Sequence, residues 1–403
     1  MNRVYFHTFG CKVNQYETES LREKLEIRGY SPTHDFKDCQ IAVINSCSVT
    51  AEADRKCRQF VRKILRSNSE ARVIVTGCYA TRDPQRLKEV SPRIELFSNQ
   101  EKEMIPESVS GCSLLSGESS ILTLFSGHTR AFVKVQDGCD APCTYCIIPK
   151  VRPGMVSRKI EEILREVKSL LKIGTKEIVL TGIRLGSYGL SSSGGRVGKN
   201  HGELVSLLKE MVQLPGDFRI RLSSLEITEV TVELLDLAKS SNKICPHFHL
   251  PLQSGEDSVL KRMGRWYDST YYSEKVKEIR GILPEVGITA DLIVGFPGET
   301  EENFTHTLQF IENHLDGLHV FPFSKRPGTP AYKLPRQNEE SIISDRVNRA
   351  IQLDTQLRSR FLKRFTGTKR LVLAEANGAF TDNGIRIPPP LPIPKGTLSW
   401  MVI

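Results

Sequence analysis

The 403-residue sequence contains no apolar run of about 18 residues, which excludes a helix that crosses a bilayer. Its opening residues, Met1 to His7, lack the apolar stretch of a secretory signal. No excess of one charge sign marks the body of the chain: residues 1–120 carry 18 basic and 16 acidic side chains, and residues 121–355 carry 30 and 29. With 26% charged and 39% hydrophobic residues, the composition excludes a disordered polyelectrolyte. The length predicts roughly two to three domains, large enough to bury cores without a disulfide framework. A cytoplasmic protein with reduced thiols is expected. What the sequence does have is ten cysteines, which in a reducing compartment point to metal or redox chemistry. Its net charge of +9 is also unevenly placed, since residues 356–403 hold eight basic and two acidic groups. A basic terminal module on a near-neutral body suggests polyanion binding, with a solvated basic helix end as the plain alternative.

Over the first 100 residues, strand-like runs at 4–9, 41–46 and 72–76 alternate with helical ones at 16–28, 52–66 and 84–90. This order predicts an open, mostly parallel α/β sheet. Residues 106–128, rich in Ser and Gly, read as a linker. Beyond it, strands are predicted at 131–136, 177–181, 218–222, 247–250, 289–294 and 317–322. Helical runs separate them, clearest at 160–173, 203–214, 230–240, 271–283 and 301–313. Six such units fit a partial or full parallel barrel, with functional groups at the C-terminal ends of the strands. Residues 189–202 read as a flexible polar loop. A helix over 338–364 leads to β-like runs at 368–375 and 398–403, with a proline-rich stretch at 388–394 between them.

Cys139, Cys143 and Cys146 form C-x3-C-x2-C directly after a predicted strand. Three thiolates so close can hold three irons of a [4Fe–4S] cluster and leave the fourth open to chelate a small molecule. Zinc normally takes four protein ligands, and no nearby Cys or His continues the pattern. Tyr145, just before the last cysteine, is placed to shield such a cluster from water. Cys11, Cys47 and Cys78 each follow one of the first three strands. In a parallel sheet these ends lie along one edge, where ligands collect, so a shared cluster is expected, with a zinc or vestigial site as the alternative. Cys39, Cys57, Cys112 and Cys245 belong to no constellation and read as structural or free thiols.

The C-x3-C-x-aromatic-C run resembles the radical S-adenosylmethionine (SAM) signature, in which the open iron binds the methionine part of SAM. With the upstream cysteines, the chain resembles the methylthiotransferases, which pair that cluster with an auxiliary [4Fe–4S] cluster in an N-terminal domain. Matching runs are GCKVNQYE at 10–17, NSCSVT at 45–50, TGCYA at 76–80, GCDAPCTYCIIP at 138–149, HLPLQSG at 249–255 and DLIVGFPGET at 291–300. The resemblance covers Arg3 to about Thr368, nearly the whole chain. The spelling GCKVNQYETE resembles the group acting on N6-threonylcarbamoyladenosine in tRNA; the isopentenyladenosine and ribosomal-protein branches read differently there.

The resemblance implies an α/β fold in three parts: an N-terminal open parallel sheet domain (1–112), a radical SAM partial barrel (125–355) and a small, shortened β-rich TRAM-like module (358–403). It implies two [4Fe–4S] clusters and SAM, with Cys139, Cys143 and Cys146 on the first cluster and Cys11, Cys47 and Cys78 on the auxiliary one. The implied reaction replaces C2–H of the modified adenosine beside the anticodon with a methylthio group, a bond too strong and too weakly acidic for acid–base chemistry. SAM contacts are expected at strand ends: Thr181 and Gly182, Ser223, Ser224 and Glu226, His249 and Gln253, and Ile293 and Gly295, beside Tyr145. Ordinary turns, caps and core packing are the competing readings of each. Asn14 and Glu17, one helical turn from Cys11, are candidates for groups behind the auxiliary ligands. Arg358, Arg360, Lys363, Arg364, Lys369 and Arg370 are expected to contact RNA phosphates. Partners would be tRNA and an electron donor such as flavodoxin or ferredoxin, with no membrane and no DNA. A non-catalytic iron–sulfur RNA-binding protein and a zinc-binding nucleic-acid module are the rival classes.

Overall fold

A computed structural model describes residues 2–112, 121–123, 125, 129–190, 203–389 and 393–403. Two compact units make up the chain: residues 1–126 with 146–154, and residues 127–145 with 155–403.

The first unit runs β1 (Arg3–Thr8), α1 (Lys12–Ile27), β2 (Ser31–Thr33), β3 (Ile41–Ser46), α2 (Ala51–Ser67), β4 (Arg72–Gly77), α3 (Cys78–Arg82), α4 (Pro84–Lys88), β5 (Glu95–Leu96) and α5 (Ile105–Ser110). Its sheet has the order β2-β1-β3-β4-β5 and is parallel throughout. Every residue of β3 is buried, as a central strand covered on both faces requires. Alternate residues serve opposite faces. Ala42, Ile44, Val73 and Val75 pack with Val61 and Ile64 of α2, while Val43 and Ile74 pack with Leu21, Leu25 and Ile105. Cys39 and Cys57 fill the first of these cores and Cys112 is exposed. Segment 146–154 contributes α6 (Ile148–Val151), and its Ile147 and Val151 pack on Cys78.

The second unit runs β6 (Arg130–Asp137), β7 (Val156–Ser157), α7 (Ile160–Lys172), β8 (Glu177–Gly182), α8 (Leu204–Val212), β9 (Arg219–Leu222), α9 (Val232–Ser240), β10 (His247–His249), α10 (Asp257–Arg262), α11 (Ser269–Ile282), β11 (Gly287–Val294), α12 (Glu301–His314), β12 (Gly317–Pro322) and α13 (Glu340–Phe365). β6, β8 and β9 pair in parallel, as do β10, β11 and β12. Parallel bridges Ile220–Ile244 and Ser224–His249 join the two sets into a six-stranded partial barrel. Cys245 is buried in this unit. The last elements, β13 (Lys369–Glu375), β14 (Gly378–Thr381), β15 (Arg386–Ile387) and β16 (Leu398–Val402), form an antiparallel sheet of order β15-β14-β13-β16.

This terminal sheet belongs to the second unit and is clamped to it through buried charge. Glu177, fully buried on β8, accepts from Arg219 Nε at 2.5 Å and Arg221 Nε at 3.0 Å. The other guanidinium nitrogens donate to the carbonyls of Leu371, Phe380, Thr381 and Asp382 at 2.7–3.1 Å. Burial pushes the Glu177 carboxyl up, but Arg221 and Arg219 outweigh it and hold the group at about 2.

The predicted linker over 106–128 opens instead with the last turns of α5, because Ile105 and Val109 are buried in the sheet's core. Most of the remainder of that stretch, the predicted loop at 191–202 and residues 390–392 of the proline-rich run lie outside the described residues. Among the described residues, no helix is long and apolar enough to cross a membrane.

Candidate active site and the two cysteine sets

In the first unit, Cys11 caps α1 and reaches solvent, Cys47 follows β3, and Cys78 opens α3, the latter two buried. All three therefore stand at the C-terminal edge of the sheet, as expected from the sequence. Two glycines permit the approach. A β-carbon on Gly10 (φ +101°) would lie 2.8 Å from Cys47 Sγ, and one on Gly77 (φ +95°) would collide with the carbonyl of Ser46. Polar side chains then tie the three strand ends together. Asn14 Nδ2 donates to the carbonyls of Phe9 and Ser46 at 2.8 and 3.0 Å, joining the turn before Cys11 to the residue before Cys47. Ser46 Oγ donates to Thr76 O and accepts from the backbone N–H groups of Tyr79 and Ala80 at 3.2 Å, joining that residue to the Cys78 turn.

Behind these thiols lies a buried charge network. Glu17 accepts from Arg152 Nη1 and Nη2 at 2.9 and 2.8 Å and from Lys102 Nζ. Arg152 also donates to Asn14 Oδ1 at 2.9 Å, and Asn99 Nδ2 lies 3.6 Å from Cys78 Sγ. All of Asn14, Glu17, Lys102 and Arg152 are buried. The Arg152 guanidinium offsets the Glu17 carboxylate there, while burial pulls the Lys102 ammonium's pKa down. Asn14 and Glu17 were legible beside Cys11; Lys102, Asn99 and Arg152 carry no local signal. Burial pushes the Cys47 thiol up to about 12, so a metal bound there must displace its proton.

In the second unit, the loop after β6 carries Cys139 and Cys143, both partly buried. Cys146, three residues further along, begins the segment that belongs to the first unit. Gln136 moulds the loop from one side, its Nε2 donating to Gly138 O at 2.7 Å. Thr144 anchors it from the other, its N–H and hydroxyl donating to Met263 O and Arg262 O at 2.9 and 2.8 Å. Gly264 (φ +74°) makes room for this, since a β-carbon there would lie 2.6 Å from Pro142 O.

Arg265, which the sequence reading missed, is the hub of this site. Its Nη1 lies 3.2 Å from Cys143 Sγ and 3.4 Å from Tyr145 Oη, its Nη2 pairs with Glu226, and its Nε donates to Tyr267 Oη at 3.2 Å. The only cue in the sequence is an arginine beside two aromatic residues, Trp266 and Tyr267, over which the guanidinium stacks. Tyr145 packs with Ile293 and Phe296 beside the cysteine loop.

The other expected strand-end residues fall as follows. Thr181 is buried, and Gly182 lets Gln136 approach, with 3.0 Å between a notional β-carbon and Gln136 Oε1. Ser223 Oγ is buried without a hydrogen-bond partner among the described residues, as a hydroxyl awaiting a polar ligand would be. Glu226 both caps the turn 227–229 and pairs with Arg265. His249 places Nδ1 2.9 Å from Thr289 Oγ1 and Nε2 3.0 Å from Asp291 Oδ1, and His319 Nδ1 lies 3.4 Å from the same oxygen. Burial pushes the Asp291 carboxyl up, but hydrogen bonds from His249 and His319 prevail and hold it well below the usual carboxylate range. Gln253 adopts a positive φ of 68° and is pinned through its backbone to Asp291 and Ile293. Gly295 has a packing reason for its lack of a side chain: a β-carbon there would collide with Ile343 Cγ1 on α13.

Of the expected RNA contacts, Lys363 and Lys369 are exposed. Arg358 pairs with Asp354 and donates to Leu318 O, Arg360 donates to Glu312 O, and Arg364 donates to Pro284 O. Arg370 corrects the reading: it is 2% exposed and paired with Glu285 and Asp382. It holds the terminal sheet and does not face solvent.

The donor chemistry fits iron–sulfur clusters: soft thiolates in sets of three, a buried Arg152 behind one set and an arginine on a sulfur of the other. Residues 3–99 match the family described as uncharacterized protein family UPF0004, and residues 133–311 match the radical SAM superfamily. The chain is 38% identical over 380 residues to the threonylcarbamoyladenosine tRNA methylthiotransferase MtaB of Bacillus subtilis, covering 91% of this chain and 83% of that protein. It is 37% identical to the MtaB protein of Thermotoga maritima (93% and 87% covered) and 34% identical to the tRNA-2-methylthio-N(6)-dimethylallyladenosine synthase of Geobacter metallireducens (92% and 87%). Among solved structures, the radical S-adenosylmethionine methyltransferase TsrM of Kitasatospora setae shares the fold, with a TM-score of 0.60 at 16% identity over 82% of this chain and 77% of that one. On these grounds the chain belongs to the radical SAM methylthiotransferase family, in the group of the MtaB proteins.

Proposed function

We propose that this protein methylthiolates N6-threonylcarbamoyladenosine in tRNA, at C2 of the adenosine that follows the anticodon, position 37. The observation that carries the reading is the whole-length similarity to relatives named for that substrate, at 37–38% identity against 34% for the dimethylallyladenosine relative. Cys139, Cys143 and Cys146 would hold one [4Fe–4S] cluster, and Cys11, Cys47 and Cys78 a second. When bound, the first cluster and SAM supply one-electron chemistry able to activate an aromatic C–H bond.

The protein's own residues do the rest. Thr181, Gly182, Ser223, Glu226, His249, Gln253, Ile293 and Gly295 line strand ends or their turns and would bind and orient SAM. Ser223 offers a hydroxyl with no partner among the described residues, and Glu226 a carboxylate oriented by Arg265. Tyr145, Ile293 and Phe296 exclude water beside the cysteine loop. Asp291, held ionised between two imidazoles, fixes the orientation of His249. An electron donor of the flavodoxin or ferredoxin class would reduce the clusters. Mass spectrometry of tRNA nucleosides from cells with and without the gene tests the reading. The 2-methylthio derivative of N6-threonylcarbamoyladenosine should disappear with the gene; loss of a methylthiolated isopentenyladenosine instead would assign the other branch.

A further inference from the structure

We propose that the solvent face of α2, in the first unit, is a docking track for the phosphate backbone of the substrate tRNA. This rests on the tRNA reading and extends it to a surface outside the cysteine sites and the basic tail. The buried face of α2 is Asp54, Cys57, Val61 and Ile64. The opposite face is Glu52, Arg55, Lys56, Gln59, Arg62, Lys63 and Arg66, all exposed, so five of its seven side chains are cations. Along the whole helix six basic residues face two acidic ones, Glu52 and Asp54, both confined to its first turn. Glu52 pairs with Arg55 and Lys56. Asp54 is turned inward to Arg82 and Ser48. Among the described residues, Arg62, Lys63 and Arg66 have no carboxylate within ion-pair distance.

This pattern works against the helix itself. Arg62 and Arg66 stand one turn apart, as do Lys63 and Arg66, and like charges at that spacing destabilise a helix. A surface helix selected only for solubility interleaves both signs, so the arrangement answers to a polyanion. Its shape is linear. From Arg55 to Arg66 the track is about 16 Å long at 1.5 Å per residue, a length over which a duplex stem presents on the order of nine phosphates. At its N-terminal end the helix opens at Ala51, four residues after Cys47. The track therefore leads to the sheet edge that carries the auxiliary cysteines. Contacts of this kind give affinity and register without base choice.

The test is the salt dependence of tRNA binding by the full-length, cluster-loaded enzyme, using tRNA purified from cells lacking the gene. The R62Q/K63Q/R66Q variant should lower the slope of log affinity against log salt by about two to three, at about 0.7–0.9 per cation removed. Its affinity near 0.15 M salt should fall on the order of tenfold to a hundredfold. Thermal midpoint should hold or rise slightly, since the like-charge repulsion along the helix is relieved, and tRNA-independent SAM cleavage should not change; the charge-preserving R62K/R66K variant should keep the wild-type slope. A matched R165Q/K168Q/K172Q variant on the exposed face of α7 should also keep it. An unchanged slope in the α2 variant overturns the proposal, as does an equal loss in the α7 control. A defect only in reduction by an acidic flavodoxin also overturns it and assigns the track to a protein. These outcomes are independent of the nucleoside analysis, whose failure would remove the substrate reading whatever α2 does.

Discussion

Two residues decide how closely the cysteines proposed as ligands are held. Gly10 combines a left-handed backbone with a β-carbon position 2.6 Å from Cys47 Cβ, so Gly10→Ala is strained twice over. It should lose the auxiliary cluster while leaving the first one, bringing iron per chain to about half of the wild-type value. Full iron content in this variant would contradict the shared site. Arg265 acts on the other set through its hydrogen bond to Cys143 Sγ. Hydrogen bonds and positive charge at a cluster sulfur favour the reduced form. Arg265→Gln should therefore shift the first cluster to a lower potential in an EPR-monitored titration and slow SAM cleavage. Arg265→Lys should restore only part, since one ammonium cannot span Cys143, Tyr145 and Glu226 together. At this scale the cysteines were legible because their spacing is local. Lys102 and Arg152 were not, because they meet Glu17 across 85 and 135 residues of sequence.

The elements that the sequence revealed are those with a sustained period or a continuous apolar run, such as β3, whose six residues are all buried. β2, β5 and β7 span two or three residues and hold no period to read. Charge was a partial guide: seven of the eight basic residues after position 355 are exposed. The basic excess of the last 48 residues suggested a surface, yet Arg370 is spent inside the terminal sheet. The same sheet rests on Arg219 and Arg221, whose only acidic partner on the barrel strands among the described residues is Glu177. Glu177→Gln should cost about 3–5 kcal/mol, because two guanidinium groups stay buried without their counter-charge; a fall in urea midpoint would register it. Its folded pKa of about 2 lies below the ordinary glutamate value. The stabilisation is thus complete above about pH 4.5 and is lost as pH falls toward 2. Wild type should lose more stability than E177Q over that window, and parallel curves would refute the assignment.

For the molecule as a whole, the terminal sheet should not behave as a detachable RNA-binding appendage. Ending the chain at Thr366 removes β13 to β16 and with them the carbonyls that accept from Arg219 and Arg221. The shortened protein should show faster proteolysis of the barrel unit, beyond any loss of tRNA affinity. Barrel stability equal to that of the full chain would instead favour an independent module. The two cysteine groupings were readable because one follows three successive strands of the N-terminal sheet and the other sits at close spacing after β6. The membership of residues 146–154 was not, since nothing in CIIPKVRPG marks it as packing with the N-terminal sheet.

Those nine residues bear on how such a chain can be inherited. The first unit borrows Ile147, Val151 and Arg152 from a stretch that lies beyond the opening strand of the second. No single cut yields two complete halves: a gene ending at residue 126 would encode a sheet missing the guanidinium on Glu17 and the apolar cover of Cys78. Fission, or exchange of one half with a distant relative, would have to carry this short insert along or rebuild it. The interleaving makes the two units one heritable piece.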